Sequence, residues 1–424
     1  MTSVIDIAKN ASFAATQALQ LSTKIKNNAL LKIADLLEQN KDKIIKANII
    51  DLENAKDLSK SMFNRLKLDD NKIRDMIQGV RDISLLADPI NQEIWSKDIA
   101  ENMTLKKVSC PIGVIGVIFE ARPDVISQIS SLAIKSSNAV ILKGGSEAVN
   151  TNKIIFELIN DALSSIQDFP KNMINLIFTR DDVKELLDAD NYVNLIIPRG
   201  SNALVKYIKS NTKIPVLGHA DGICHIYIDE FADINKVLDI CIDAKCQYPS
   251  ACNAVETILI NEKVALYFMP QLMFKFIENG VEVIGDENIL KIIPNVKLAT
   301  EDDWQTEYGD KIVSIKVVKN IDEAIAHINK YGSGHTDCII TENNENSDKF
   351  MMFVDSSGVY KNASTRFADG FRYGFGAEVG ISTNKTHARG PVGLEGLTIY
   401  KYKLFGNGDI VADFASGKRQ FIKS

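Results

Sequence analysis

The chain has 424 residues, which is too long for one ordinary domain and predicts two or three. Hydrophobic residues make up 45% of it and charged residues 25%, the balance of an ordinary globular protein. The net charge of −6 argues against a nucleic-acid-binding surface, so any anionic ligand must be bound by local Arg, Lys or backbone N–H groups.

The six cysteines are scattered along the chain, and none forms a C-x-x-C pair that would indicate a zinc or thioredoxin-like site. Isolated thiols in a long chain are typical of a reducing compartment. Residues 1–21 lack the basic region and apolar block of a signal peptide, and the apolar run 112–119 is too short to cross a bilayer. We therefore expect a cytoplasmic protein with no membrane partner.

Helical spacing of apolar residues dominates the first ninety or so residues. The spacing is clearest in two groups, Leu30, Ile33, Leu36 and Leu37, and Ile73, Met76, Ile77, Val80 and Ile83.

From Gly113 onwards, short apolar runs alternate with helical patterns, which predicts a parallel sheet covered by helices. The predicted strands are 113–119, 139–142, 174–178 and 193–197, with helices 125–136, 147–163, 183–187 and 203–209 between and after them. Sheets of this kind bind ligands at the carboxyl ends of their strands.

A second alternating series follows a boundary predicted near Asp229 to Asp233. Its elements are predicted at 234–246, 255–260, 264–278, 281–284, 312–318, 322–330, 337–341, a helix up to 354, and 358–361. The glycine-rich stretch 370–396 predicts a long functional loop, and 397–404 predicts a late strand.

Cys252 follows a predicted helix and a proline turn, and it precedes a predicted strand. A sulfur on such a turn is well placed for acyl transfer, because a thiolate both attacks carbonyls and leaves readily. The alternative is a small buried core residue, which is the usual role of a free cysteine and the one assigned to the other five.

Two further turns lie between a strand and a helix, where glycines and a helix N-terminus favour phosphate. They are Lys143-Gly144-Gly145 and Gly200-Ser201. Each is a weak signal alone, because such turns often contain glycine and the G-x-G-x-x-G fingerprint is absent.

Three arginines have two open interpretations, as anion ligands or as surface ion pairs: Arg122, Arg366 and Arg389. The histidines show no metal spacing, and each is interpreted as a structural hydrogen-bonding residue. They are His219, His225, His327, His335 and His387. No metal site is expected.

Seven blocks in the same order resemble the glutamate-5-semialdehyde dehydrogenases, or γ-glutamyl phosphate reductases, of proline biosynthesis. The blocks are 111–124, 140–145, 195–200, 224–229, 249–253, 359–367, and 376–379 with 387–391. The wider relative is the aldehyde dehydrogenase superfamily. The resemblance covers nearly the whole chain.

This resemblance implies an aldehyde-dehydrogenase-like α/β fold, in which a Rossmann-type parallel-sheet cofactor domain is joined by a second α/β catalytic domain and a small β oligomerisation element. The implied bounds are 1–230 for the cofactor domain, with a hairpin at 91–111, then 231–385 for the catalytic domain and 386–424 for a segment that returns to the cofactor domain.

The superfamily's catalytic cysteine matches Cys252, and its lysine at the adenosine ribose matches Lys143. Its turn near the cofactor phosphates matches Gly200-Ser201, and its glutamate at the nicotinamide ribose matches Glu307 in Glu307-Tyr308-Gly309. The resemblance further implies that Gly144 and Gly145 bind the cofactor. It implies substrate binding by Arg122, Asn253, Arg366 and Arg389.

The chain also departs from the superfamily. The general-base glutamate is absent from the stretch 218–222, which suits a reductase because its thioester must react with hydride rather than water. The oxyanion-hole asparagine has no match near Ala121, so the Cys252 backbone N–H is a candidate donor. Tyr248 stands where many stand-alone members have arginine.

The implied activity is NADPH-dependent reduction of L-glutamyl 5-phosphate to L-glutamate 5-semialdehyde, through a Cys252 thioester. The implied partners are a second copy of the chain and glutamate 5-kinase. Three alternatives stay open: an oxidising aldehyde dehydrogenase that releases a free acid, a cysteine hydrolase or acyltransferase that uses a histidine, and a catalytically silent binding protein.

Overall fold

The computed structural model describes residues 3–58, 60–218 and 221–422. The chain divides into two compact units. The first runs as far as Leu217 and resumes at Val392, and the second is Gly218–Pro391. His219 and Ala220, which belong to the stretch interpreted as lacking a general base, lie outside the described residues.

Helices open the first unit: α1 (Val4–Ala18), α2 (Thr23–Gln39), α3 (Lys41–Asn54), α4 (Lys60–Leu66) and α5 (Asp70–Leu85). The apolar spacing predicted for α2 is confirmed, since Leu30, Ile33 and Leu37 are fully buried and Leu36 is half-buried. The five spaced apolar residues of α5 are buried as well. Burial of these apolar stripes, more than helix propensity, keeps such helices folded.

A hairpin follows the helices and consists of β1 (Glu93–Ala100) and β2 (Met103–Pro111), which pair antiparallel. It lies within the range 91–111, for which the family resemblance implied a hairpin. Most residues of β1 are exposed, and those of β2 are mostly half-buried.

The parallel sheet of the first unit has the strand order β5-β4-β3-β6. Its elements are β3 (Val114–Phe119), α6 (Asp124–Lys135), β4 (Ala139–Lys143), α7 (Val149–Ser164), β5 (Ile174–Ile177), α8 (Arg180–Leu187), β6 (Leu195–Arg199) and α9 (Asn202–Ser210). The continuous apolar run in β3 is fully buried, as expected of a central parallel strand.

The second unit contains another parallel sheet, with the order β10-β9-β11-β8-β7-β12-β13. Its elements are β7 (Cys224–Ile228), α10 (Ile234–Cys246), β8 (Val255–Asn261), α11 (Glu262–Glu278), β9 (Glu282–Gly285), α12 (Glu287–Ile292), β10 (Lys297–Leu298), β11 (Ile312–Val318), α13 (Ile321–Tyr331), β12 (Thr336–Ile340), α14 (Asn344–Phe353) and β13 (Gly358–Lys361). A short antiparallel pair follows, β14 (Ile381–Ser382) and β15 (Gly390–Pro391).

The unit boundaries differ from those placed after residues 230 and 385. Strand β7 was not predicted, and it pairs with β8 and β12 in the second sheet, so the chain enters the second unit before Cys224. Strand β15 pairs with β14, which keeps the chain in the second unit as far as Pro391. The boundaries therefore follow strand pairing, which the order of elements does not reveal.

The chain then returns to the first unit in β16 (Thr398–Phe405) and α15 (Val411–Ala415). Strand β16 pairs with β2 along its whole length and completes a three-stranded antiparallel sheet, β1-β2-β16. Within the described ranges, no helix is both long enough and apolar enough to cross a membrane.

Two buried histidines of the second unit, His225 and His327, contact neighbouring side chains. His225 Nδ1 lies 3.0 Å from Asp337 Oδ1, and the ring of His327 packs against those of Trp304 and Tyr331. Burial, with the charges of His225 and two lysines, lowers the pKa of His327 to about 2. The folded protein therefore keeps this imidazole neutral at pH values where the unfolded chain protonates it.

The His327→Phe protein should show a weaker dependence of stability on pH. Below a pH of about 6.5, the His327 imidazole binds a proton in the unfolded state but not in the native state. The free energy of unfolding therefore decreases as the pH falls, by about 2 kcal/mol at pH 5. Denaturant unfolding between pH 5 and 7 measures the slope. Equal slopes for wild type and His327→Phe would contradict the assignment.

Candidate active site

Cys252 lies on a turn between two rigid elements, as predicted. Helix α10 ends at Cys246 and β8 begins at Val255, and in between the Ala251 N–H donates to the Tyr248 carbonyl at 3.2 Å. The Ala254 N–H donates to the Ala251 carbonyl at 2.9 Å. The Cys252 side chain is half-buried. This arrangement suits a nucleophile, because the turn is fixed at both ends while the thiol keeps some access to solvent.

The other cysteines are held in the thiol form by burial. Cys224, Cys241 and Cys338 are buried, and burial raises the pKa of each, that of Cys338 to about 12. Burial also raises the pKa of the half-buried Cys110 and Cys246. Since the thiolate is the reactive form, these five residues fit the structural role assigned to them from the sequence.

The backbone of Cys252 is packed closely against the segment that leads into β7. Cys224 Sγ donates to the Cys252 carbonyl oxygen at 3.4 Å. A Cβ atom added at Gly222 would lie 2.6 Å from both the Cα and the Cβ of Cys252, so only glycine fits there. Close packing against the start of β7 therefore restricts the position of the nucleophile turn.

Asn253, the neighbour of Cys252, is almost fully buried, with 4% of its surface exposed. Its Nδ2 donates to the Ala368 carbonyl at 2.9 Å, which joins the nucleophile turn to the segment after β13. Among the described residues, its buried Oδ1 has no hydrogen-bond partner. A buried acceptor left unpaired is costly, so this oxygen is suited to receive a donor from a ligand.

Arg366 comes from the segment that Asn253 contacts, and it is 8% exposed. Its Nε donates to Gln247 Oε1 at 2.9 Å, and its guanidinium carbon lies 5.7 Å from the ring centroid of Tyr248. Burial and the charge of Arg372 lower the pKa of Arg366, whereas Cys252 acts in the opposite direction. The structure thus brings a buried cation into electrostatic range of the thiol.

Glu307 is half-buried. The two residues that follow it in the same turn, Tyr308 and Gly309, are held by hydrogen bonds. The Tyr308 hydroxyl lies 2.8 Å from Asp303 Oδ1 and 2.7 Å from Ser314 Oγ. The Gly309 N–H donates to Glu256 Oε1 at 3.3 Å.

In the first unit, the two glycine turns lie at the carboxyl edge of the sheet. Lys143 pairs with Ile118 of β3, and Arg199 pairs with Phe119, so the turns after β4 and β6 flank the end of β3. Lys143 is half-buried. A Cβ atom on Gly144 would meet the Phe119 ring at 3.0 Å, so the turn is packed tightly on its inner side.

A carboxylate that sequence reasoning missed occupies the N-terminus of α9. Glu120 Oε2 accepts from the Ser201 N–H at 2.8 Å, and a Cβ on Gly200 would lie 2.5 Å from the same oxygen. The Ser201 Oγ caps the helix by accepting from Leu204 N at 3.4 Å. This turn already binds an anionic group, in keeping with the partial positive charge of a helix N-terminus.

The two remaining arginines differ in their surroundings. Arg122 is half-buried just beyond the end of β3, where its carbonyl accepts from Val125 N at 3.1 Å in the first turn of α6. Arg389 Nη2 donates to the Asp355 carbonyl oxygen at 3.1 Å and to its carboxylate at 3.2 Å. Arg389 therefore has the surface ion pair that was one of its two interpretations.

The model of the aldehyde dehydrogenase family matches residues 2–282. Curated relatives named gamma-glutamyl phosphate reductase include one from Brachyspira hyodysenteriae, 62% identical over 424 residues, covering 99% of this chain and 98% of the relative. Another, from Methanococcoides burtonii, is 53% identical over 96% of this chain and 93% of its own.

The solved structures that match this chain include one with the same name as these relatives. The crystal structure of gamma-glutamyl phosphate reductase from Thermotoga maritima matches with a TM-score of 0.94 and 42% identity, over 96% of this chain and 100% of that one. Glyceraldehyde-3-phosphate dehydrogenase GapN from Methanocaldococcus jannaschii, complexed with NADP, matches 96% of both chains with a TM-score of 0.67 at 17% identity, a likeness of fold. The chain belongs to the aldehyde dehydrogenase family, and within it to the gamma-glutamyl phosphate reductases.

Proposed function

We propose that the chain reduces L-glutamyl 5-phosphate to L-glutamate 5-semialdehyde, with NADPH as reductant and phosphate as the leaving group. The observation that carries the proposal is the half-buried Cys252, fixed on its turn beside a buried arginine and a buried amide oxygen that has no hydrogen-bond partner within the described ranges. The names of relatives 51–62% identical over nearly the full chain support the same reaction.

In the first step, the Cys252 thiolate attacks the γ-acyl carbon, and phosphate departs as a thioester forms. Phosphate is a good leaving group, so this step needs no strong acid. The positive charge of Arg366 favours both the thiolate and an anionic substrate. Asn253 Oδ1 is suited to accept a hydrogen bond from the substrate's ammonium group.

NADPH, when bound, would supply the hydride that reduces the thioester carbon. The resulting hemithioacetal oxygen then re-forms the C=O bond, which expels the Cys252 thiolate and releases the aldehyde. Backbone N–H groups of the nucleophile turn, that of Cys252 among them, are candidates to stabilise the negative oxygen in both steps. Closely packed residues on both sides of the turn keep the sulfur in place for each step.

The turn after β4 fits a nicotinamide dinucleotide, because the half-buried Lys143 lies at the strand end beside Gly144 and Gly145. Lys143 would contact the adenosine ribose or its phosphate, and Glu307 the nicotinamide ribose. The turn at Gly200-Ser201 would receive a cofactor phosphate once Glu120 turns away, since the two anions would compete for the Ser201 N–H.

Phosphate dependence tests the proposed reaction. Run backwards, the enzyme should reduce NADP⁺ with glutamate 5-semialdehyde only when phosphate is present, because phosphate must cleave the thioester. An oxidising aldehyde dehydrogenase would instead release the free acid without phosphate. Omitting phosphate should therefore stop the reaction, and NADP⁺ reduction at an unchanged rate would refute the proposal. A parallel assay with NAD⁺ measures the cofactor preference.

The Arg366→Met protein should lose affinity for the substrate. A charged hydrogen-bonded contact contributes about 1.5–3 kcal/mol, so the KM for phosphate or semialdehyde should rise about tenfold to a hundredfold. The matched control is Arg389→Met, because Asp355 already occupies that guanidinium in an exposed ion pair. Steady-state kinetics on both proteins should show a change only for Arg366→Met; equal effects would remove Arg366 from the site.

We also propose that the chain self-associates through the sheet β1-β2-β16. Strand β16 is an edge strand, and its exposed apolar residues include Tyr402 and Leu404. An exposed apolar edge is prone to pair with another chain. We further propose that the chain is cytoplasmic, that it acts in proline biosynthesis, and that glutamate 5-kinase is a partner.

A further inference from the structure

A buried ion pair that the proposed mechanism does not use closes the nucleophile turn. Lys245 lies in the last turn of α10, before Cys252, and Glu256 lies in β8, after it. Lys245 Nζ is 2.7 Å from Glu256 Oε2, and both side chains are completely buried. The ion pair thus joins the two ends of the segment that presents the sulfur.

The second oxygen of Glu256 extends this connection to another turn. Its Oε1 accepts from the Gly309 N–H at 3.3 Å, and Gly309 follows Glu307 and Tyr308. Gly309 has φ +61°, a left-handed conformation that glycine adopts without strain. One carboxylate therefore links the end of the helix that leads into the Cys252 turn with the Glu307 turn.

Stability does not account for this pair. Removing two charges from water costs several kcal/mol, and well-packed apolar residues in place of a buried ion pair are often as stable or more so. Burial raises the pKa of Glu256 to about 7 despite the nearby Lys245, which indicates how poorly the site solvates charge. The pair can instead fix the relative positions of the segments that it joins.

We propose that Glu256 is a positioning residue that holds the Cys252 turn and the Glu307 turn in one arrangement. The inference rests on the proposed function, in which Cys252 forms the thioester and Glu307 contacts the nicotinamide ribose. Lys245 orients the Glu256 carboxylate through Oε2, and Oε1 then fixes Gly309.

Two double variants isolate the Gly309 hydrogen bond. Both K245M/E256Q and K245M/E256L remove the ion pair without leaving a charge buried alone, but only the glutamine keeps an oxygen that can accept from Gly309. The KM for NADPH should rise about fivefold to tenfold in K245M/E256L relative to K245M/E256Q, the effect of one hydrogen bond. Their kcat values should differ less than their KM values, because the lost contact concerns the cofactor turn.

Amide hydrogen exchange gives a readout that needs no turnover. The segment 307–309 should exchange several times faster in K245M/E256L than in K245M/E256Q. As a control, Lys26→Met breaks the buried pair Lys26–Asp88 of the first unit, 2.8 Å apart, and should lower the melting temperature without changing either readout. If K245M/E256L does not fold, Glu256→Asp keeps the charge but withdraws it from Gly309, and the same two increases are expected relative to wild type.

Equal exchange at 307–309 in the glutamine and leucine variants, or in wild type and Glu256→Asp, would overturn the inference. Equal KM values for NADPH in an active enzyme would do the same. A difference in exchange in a protein that shows no phosphate-dependent reduction would instead support the link between the turns while refuting the proposed function.

Discussion

Replacing Cys252 by alanine should lower phosphate-dependent reduction of NADP⁺ by at least about 10⁴-fold, the usual effect of removing a covalent nucleophile. Without the sulfur no thioester forms, and the remaining groups can only bind and orient the reactants. The measurement is the initial rate of NADPH formation from glutamate 5-semialdehyde and phosphate. Circular dichroism and the melting temperature check that the fold is intact, which is expected because the half-buried side chain loses only one atom.

Cys246→Ala is the matched control for that experiment. Cys246 is also half-buried and ends the helix that precedes the nucleophile turn, but burial raises the pKa of its thiol. Its removal should change the rate by less than about twofold. Iodoacetamide should label Cys252 first, because the charge of Arg366 favours its thiolate whereas burial raises the pKa of the other half-buried thiols, Cys110 and Cys246. A Cys252→Ala enzyme with more than a few per cent of the wild-type rate would show that the reaction does not pass through this sulfur.

Elements with strong local signals were predictable from the sequence. Helix α10 has the predicted bounds, 234–246, and β3 is the buried strand that its continuous apolar run indicates. The place of Cys252 between a helix and a strand followed from the same reasoning, because apolar periodicity and a proline turn are properties of neighbouring residues. The α/β fold implied by the family resemblance is confirmed.

Features that depend on contacts distant in sequence were not predictable. Strand β7 contains His225, a polar residue that interrupts its apolar pattern. In the fold this side chain is buried and pairs with Asp337, which is distant in sequence. The glycine turns after β4 and β6 lie at the carboxyl ends of their strands, where ligand binding was predicted, whereas Cys252 comes before β8, at the amino end of its strand. No local pattern indicates that exception.

Glu120 shows how a missed residue could have been found. It directly follows β3, and the predicted parallel sheet already brings the carboxyl ends of neighbouring strands to one edge. A carboxylate at that edge, beside a strand-to-helix turn, is a natural partner for the helix N-terminus. By contrast, the hydrogen bond from Gly309 to Glu256 depends on a loop conformation that the sequence does not encode in any short motif.

Replacing Gly222 by alanine should lower kcat by about a hundredfold, the effect expected when a reacting atom is displaced by about 1 Å. The new Cβ would lie 2.6 Å from the Cα and Cβ of Cys252, and the atoms it meets belong to the backbone and to the nucleophile itself. The Cys252 turn must therefore shift, since no flexible side chain can move aside.

Gly79→Ala in α5 is the matched control, because a Cβ there meets no atom within 4 Å. That substitution should leave kcat unchanged and raise stability slightly, as alanine favours a helix interior by about 0.5–1 kcal/mol over glycine. In Gly222→Ala, the KM for NADPH should change much less than kcat, because the displaced atom is the nucleophile and the cofactor turns after β4 and β6 are untouched. A Gly222→Ala enzyme with wild-type kcat would mean that the sulfur's position tolerates movement, and the close support of Cys252 by the start of β7 would then have no catalytic role.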